Sequence, residues 1–348
     1  MKNIIKTVIV MLTSISLFTS ANAGALGVSG TAKATYNIHS GNVNQGKGLG
    51  VTNELNFTAA GELDNGYTWS YSMELDPTDA ANAGVASNDD TKLTLSTPMG
   101  TVGVFISEGG LDLEDGASQS VYGRPTDVGD PSATVDNLTT DGDNTIQYHT
   151  PSGLLPYGIA TKFSYAPSAS DAQGAAANAT AALEGTGGLN SRTGVQIKAA
   201  PIDGLSVGIS TVQTTVNFGA SGVTQKPASY AAMATYAYGP VKVGYSIAEN
   251  EPALQALSTS AIDKYEQTNA SIAFAVNDSL SISVERENSK ASAVAAATAT
   301  IDQESTAVQA AYTMGGMTLA VSQGKYDNIG YVTKNEATQT LLAMTLAF

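Results

Sequence analysis

From Leu26 onward the chain alternates apolar and polar residues with a period of two. Leu26, Val28, Ala32, Ala34, Tyr36 and Ile38 alternate with Ser29, Thr31, Lys33, Thr35 and Asn37. Val51, Leu55, Phe57, Ala59 and Leu63 alternate with Thr52, Glu54, Asn56, Thr58 and Glu62. A tight-turn sequence, Asp64-Asn65-Gly66, follows. Tyr67, Trp69, Tyr71, Met73 and Leu75 then alternate with Thr68, Ser70, Ser72 and Glu74. Side chains of a strand point to opposite faces in turn, so each run predicts a strand with one greasy face and one wet face.

The connections sort by length. Long polar stretches fall at 39–50, 76–90, 108–143, 166–191, 213–228, 249–265, 287–304 and 325–336. Short ones fall at Asp64–Gly66, Pro98–Gly100, Pro151–Pro156, Pro201–Gly204, Gly239–Pro240, Asn277–Asp278 and Gly315–Gly316. Long and short alternate strictly, so eight loops and seven turns separate sixteen strands. A soluble sandwich also alternates its faces, but it does not sort its connections onto two ends by length. The pattern predicts an all-β protein. It is a transmembrane antiparallel β-barrel of sixteen strands, with long loops outside and short turns on the periplasmic side.

The two ends of the chain carry the same expectation. Read back from Phe348, the alternate residues Leu346, Met344 and Leu342 make an apolar face that closes on a terminal aromatic. Met1 to Ala23 has Lys2 and Lys6, an apolar run from Val8 to Phe18, and then Ala21-Asn22-Ala23. That is the layout of a cleaved secretory signal. Its apolar run is too short and too rich in Ser and Thr for a spanning helix. Residues 1–23 are thus expected to be a signal peptide, and residues 24–348 a single outer-membrane barrel domain.

Composition adds two exclusions. The chain has no Cys, so disulfide scaffolds and thiolate metal sites are absent. Without Lys2 and Lys6, 14 basic residues face 31 acidic ones, a net charge of −17 with His neutral. Nucleic acid is therefore not the expected partner, because phosphate binding needs basic patches. Only 14% of residues are charged. Their scarcity suits a wall in contact with lipid on one side and water on the other.

Candidate chemistry is sparse. Gly41-Asn42-Val43-Asn44-Gln45-Gly46-Lys47-Gly48 approaches a phosphate-binding loop, but Gly48 stands where Ser or Thr is required and a strand pattern follows. Only His39 and His149 are available as catalytic bases, both on the polar parity of their strands, and no G-x-S-x-G elbow exists. Ala-rich tracts at 175–182 and 291–299 are assigned no function. Tyr67 and Tyr157 at strand starts, and Tyr36, Tyr165 and Tyr238 at strand ends, fit an interfacial aromatic girdle.

The 108–143 loop is the sharpest candidate. It carries Glu108, Asp112, Glu114, Asp115, Asp127, Asp130, Asp136, Asp141 and Asp143 against the single base Arg124. Three readings stand. The loop folds into the lumen as a constriction whose fixed charge sets ion preference. Alternatively it is a solvated outer loop. Or Asp112, Glu114, Asp115, Asp127 and Asp130 supply a Ca²⁺ site, since hard cations favour carboxylate oxygens. No other cofactor is expected.

The chain resembles the Gram-negative general porin family. Asp143-Asn144-Thr145-Ile146-Gln147-Tyr148-His149-Thr150-Pro151 resembles the family's Asn-Ser-x-x-Tyr-x-Ser-Pro stretch after the third loop. Pro98-Met99-Gly100-Thr101-Val102-Gly103 resembles its turn after strand four, and Tyr238-Gly239-Pro240-Val241-Lys242-Val243-Gly244 its later Gly-Pro turn. The resemblance implies a homotrimer in outer-membrane lipid. It also implies a third loop folded inward opposite basic wall residues, and passive diffusion of small hydrophilic solutes and ions. Lys33 and Lys92 alone take the basic positions on the first strands, and the loop's nine carboxylates and the net charge of −17 outnumber them, so a cation preference is expected. The other readings are a substrate-specific channel, an outer-membrane enzyme and an exported β-rich adhesin. The first would show an aromatic track on the polar parity, and the enzyme a paired nucleophile and base. Neither feature is evident in the sequence.

Overall fold

The computed structural model describes residues 25–43, 45–77, 86–106, 111, 113, 115–128, 144–167, 188–218, 223–252, 262–293 and 301–348. The signal-peptide segment lies outside them. The strands are β1 (Ala25–Gly41), β2 (Gly46–Glu62), β3 (Thr68–Pro77), β4 (Ala86–Thr97), β5 (Gly100–Ile106), β6 (Thr145–His149), β7 (Ala160–Ala166) and β8 (Gly188–Ala199). There follow β9 (Leu205–Phe218), β10 (Val223–Gln225 with Ala228–Tyr238), β11 (Val241–Asn250) and β12 (Ile262–Ala275). The last four are β13 (Leu280–Ala293), β14 (Asp302–Met314), β15 (Met317–Asp327) and β16 (Glu336–Ala347).

The two pieces of β10 are one strand. Gln225 opposes Val216 and Ala228 opposes Gln213, so the register on β9 continues unbroken past Lys226 and Pro227. Proline has no N–H to give to the ladder, which accounts for the interruption. Sixteen strands among the described residues therefore form the wall. Each is antiparallel to its neighbours, and β16 pairs with β1 to close it. Phe348 completes this seam. Its N–H and C=O both pair with Gly30, at 3.0 and 2.9 Å. Its ring covers Gly30 so closely that a β-carbon there would lie 2.9 Å from it. Among the described residues no helix is long and apolar enough to cross a membrane.

The short turns occur where the sequence places them, but the expected long loops other than the third are partly strand, three of them to a large extent. β1 and β2 leave only 42–45 between them, β9 and β10 approach to 219–222, and β13 runs on to Ala293. The reason is physical. The apolar alternation stops where the wall leaves lipid, whereas backbone pairing continues into water with polar side chains such as Ser40 and Thr338, whose hydroxyls lie 2.7 Å apart. The phosphate-loop lookalike is the tip of this β1–β2 hairpin. Of the Ala-rich tracts, 175–182 and 294–299 lie outside the described residues.

The two faces of the wall differ as the alternation requires. Val243, Ile272 and Leu342 are exposed on the outer face, with Leu55 and Phe57 half-buried among outer neighbours. The inner residues of the same strands, such as Ser246, Asn269 and Ser271, are buried. A contiguous apolar exterior of this extent belongs in lipid, not water. Aromatics cluster at the short-turn end: Tyr67, Tyr157, Tyr236, Tyr238 and Tyr312, with Tyr148 stacked on Phe163 at 6.4 Å. Tyr165 lies near the opposite end of β7. Tyr36 lies within β1, not at its end, because β1 continues to Gly41. An Arg in the lipid-facing middle of such a wall costs roughly 2–4 kcal/mol. Phe57→Arg is therefore expected to impair heat-stable barrel assembly while Asn56→Arg, on the inner face, does not. Equal assembly on cold gels would invert the assigned faces.

Candidate pore constriction

The third long connection, between β5 and β6, folds onto the inner wall over residues 111–128. Apolar side chains lead it in. Leu111 and Leu113 are fully buried, and Leu113 packs with Ala117, Ala231 and Met233. Glycines on the wall make the room. A β-carbon on Gly194 would collide with Leu111, and one on Gly244 would collide with the Ala117 carbonyl. Inner Ala311, Ala320, Leu341 and Ala343 then receive Val121 and Tyr122.

Polar side chains of the wall satisfy the loop's backbone, as any buried irregular segment requires. Ser271 Oγ accepts from the Gln119 N–H at 3.0 Å and donates to the Ala117 carbonyl at 3.1 Å. Ser283 Oγ accepts from Val121 at 3.0 Å. Gln309 accepts from Tyr122 at 3.1 Å and donates to the Gly123 carbonyl at 2.6 Å. The Tyr326 hydroxyl donates to the Pro125 carbonyl at 2.8 Å.

Two buried carboxylates on β13 fix the loop's far end. Glu285 accepts from the hydroxyls of Ser118 and Ser120, at 2.6 and 2.5 Å, and from Asn269. Glu287 accepts from Arg124 Nε at 2.8 Å, and from the N–H and hydroxyl of Thr126 at 3.1 and 2.7 Å. Both carboxylates are 0% exposed and Arg124 is 3% exposed. A buried charge is tolerable only when paired and hydrogen-bonded, and these are. None of the three had been given a role from sequence. The available signal was two carboxylates on the inward parity of one strand, with the loop's single base as their counter-ion.

The other candidates separate. Glu108, Asp112, Glu114 and Asp130, with Asp136, Asp141 and Asp143, lie outside the described residues. The Asp115 backbone is in a short turn whose side chain is likewise outside them. Asp127 is exposed, its carboxylate 3.9 Å from Arg124 Nε. Among the described residues no group of three acidic or His side chains is arranged to hold a metal ion. The proposed Ca²⁺ ligands fall mostly beyond them. His149 sits on the inner face of β6 with Gln147, 2.9 Å away, and Phe105. His39 is on the inner face of β1, opposite Gln339.

Across the lumen, the inner residues of β1–β4 are only partly covered. Lys33 and Glu54 stand there, Glu54 accepting from the Thr31 hydroxyl at 3.2 Å. Glu74, Asp90 and Lys92 line one cavity with Asn56, Thr58, Ser70 and Ser72. The third loop thus covers the wall from β8 round to β16 and leaves solvent beside β1–β4. This is the cross-section of a channel narrowed from one side.

A sequence model of the Gram-negative porin family matches residues 8–345. The chain belongs to that family. Solved outer-membrane proteins, porins among them, share its fold at low identity. The anion-selective porin from Comamonas acidovorans is 12% identical, with a TM-score of 0.66 over 93% of this chain and 100% of its own. OmpF of Salmonella typhi, solved with daunomycin, is 13% identical, with a TM-score of 0.68 over 93% and 98%. The trimer form of OmpT of Vibrio cholerae is 12% identical, with a TM-score of 0.65 over 94% and 100%. Among curated proteins no relative matches. This porin keeps the family's barrel while its own residues set the charge in the lumen.

Proposed function

We propose that this porin is an outer-membrane diffusion channel, without catalytic turnover, that passes small hydrophilic solutes and ions and prefers cations. The observation that carries the reading is the divided lumen: one half filled by a pinned loop, the other lined by small polar and charged side chains open to solvent. No energy source is needed, since solutes move down their gradients.

The sign of the preference is a balance. On the inner wall Glu54, Glu62, Glu74 and Asp90 face Lys33, Lys92, Lys162, Arg192, Lys198 and Lys242, so the wall by itself is slightly positive. Beneath the loop, Glu285 and Glu287 outnumber Arg124 by one charge. The third loop's nine carboxylates, its one base Arg124 being already counted, tip the sum negative. A low-dielectric wall focuses such a field and enriches counter-ions. In a salt gradient, the reversal potential is expected to have the cation sign and to shrink at high salt, where the Debye length falls to about 3 Å. Neutralising Asp112, Glu114 and Asp115 together is expected to move it toward zero. An anion-sign potential would overturn the preference, and an unmoved one would assign selectivity to Glu54 and Glu74 instead.

We further propose a homotrimer exported through cleavage after Ala23. The trimeric form of a similar barrel supports the trimer, as does the low relief of Ala32 and Ala34 on the outer face of β1, whereas the Phe348 ring fills the space over Gly30. A detergent-corrected mass of three chains is expected, and a mass of one chain would contradict it.

A further inference from the structure

The connection between β15 and β16 carries an arrangement that its length does not require. Gly330 N–H donates to the inner-wall Gln303 at 2.9 Å. The Tyr331 hydroxyl lies 2.7 Å from that of Ser289, an inner residue of β13 that is 0% exposed. The Tyr331 ring packs against Tyr265 of β12 at 5.8 Å, and burial pushes its hydroxyl up to about 12. Ile329 is buried against Tyr326 and Ala337. On the other side, Asn42 of the β1–β2 hairpin donates to the Lys334 carbonyl at 2.6 Å. Asn328 donates to the Asp302 carbonyl at 2.9 Å and accepts from the Lys334 N–H at 3.2 Å.

These bonds run from β12 to the β1–β2 hairpin, so the segment spans the mouth over β13–β16. It contains three non-glycine residues in the left-handed region: Asn328 (φ 55), Tyr331 (φ 59) and Lys334 (φ 64). For a non-glycine residue this conformation is strained and persists only where the surroundings over-determine it. The bonds just named supply that determination. Ser289 is two residues beyond Glu287 on the same inner face. Tyr326 touches both elements, through its hydroxyl to Pro125 and its ring to Ile329.

We propose that residues 328–335 form a second, fixed constriction in series with the third loop. It is stacked above that loop on the same half of the lumen, so that solutes enter along β1–β4 before they meet the inner narrowing. Tyr331 is its positioning residue. The segment acts as a size and charge filter at the mouth, independent of the carboxylates deeper in. The inference rests on the channel reading above.

The absence of native Cys permits a direct test. Val332→Cys, beside Tyr331, is reacted with a small cationic methanethiosulfonate during bilayer recording, with labelling confirmed by mass. Glu251→Cys, at the loop end of β11, is the control. Labelling at 332 is expected to lower conductance and shift the reversal potential toward anions, while labelling at 251 changes neither. Tyr331→Ala is expected to raise conductance without changing the sign of selectivity. A labelled Val332→Cys channel that conducts like the unlabelled one, or a Tyr331→Ala channel of unaltered conductance, would overturn the inference. An unmodified porin that conducts nothing would instead overturn the channel reading.

Discussion

Arg124→Ala is expected to release the third loop from the wall of an otherwise intact barrel. The substitution removes the cation from Glu287, which keeps its charge, is fully buried, and retains only its hydrogen bonds from Thr126 and Asn269. Removing one partner of a buried ion pair costs about 3–5 kcal/mol, because the remaining charge is left uncompensated. The barrel itself is held by sixteen hydrogen-bonded strand pairs that do not involve Arg124, so the cost falls on the loop. Proteolysis within 111–128, and open-channel current with larger fluctuations, are the expected readouts. Glu287→Gln by itself leaves Arg124 as the buried charge, with the Asp127 carboxylate 3.9 Å away, and is expected to loosen the loop as well. Combined with Arg124→Ala, it is expected to recover part of the loss, a coupling readable by a double-mutant cycle. Equal noise and equal protease resistance in Arg124→Ala and the parent would show that the pair does not hold the loop.

Gly244→Val is expected to dislodge the same loop from the opposite side. A β-carbon at 244 collides with the Ala117 carbonyl, a backbone atom that no rotamer change moves aside. The N–H of Gln119 and the carbonyl of Ala117 both depend on Ser271, the residue opposite Gly244. Displacing Ala117 therefore breaks two backbone bonds as well as the packing on Leu113. Overpacking a close contact costs about 1–3 kcal/mol, and the buried groups left unpaired add to it. Higher conductance is the expected result, with lower charge preference if the loop's carboxylates act at the constriction as proposed. Val243→Ala, one residue away on the outer face, is the matched control and leaves both unchanged. A Gly244→Val channel identical to the parent would mean that the loop does not rest on β11.

The wall was legible in the sequence because lipid on one side and water on the other impose a period of two on every strand, and the connections sort by length onto its two ends. Leu55 and Phe57 against Glu54 and Asn56 suffice to orient β2. The hairpin ends were less legible. Beyond the lipid, side chains such as Ser40, Thr214 and Ser289 no longer report pairing, although the backbone still pairs. β10 shows a related limit: Pro227 breaks the ladder without breaking the register.

The site was legible in composition but not in arrangement. The third loop's carboxylates stand out by count, yet what holds the loop is spread over β8 to β16. Gly194, Gly244, Ser271 and Gln309 are unremarkable along the chain. They acquire meaning only once the closed barrel sets them facing one loop. Leu111 and Leu113 were the clue within the loop itself. Apolar residues in an acidic stretch have reason to be buried, and the hydrophobic effect draws them onto the wall.

The central claim is tested most directly by planar-bilayer recording of the purified, folded porin. Discrete conductance steps are expected, proportional to voltage near zero and increasing with the conductivity of the bathing salt, as for a water-filled lumen narrowed from one side. Folded protein that inserts into the bilayer and yields no steps would contradict it.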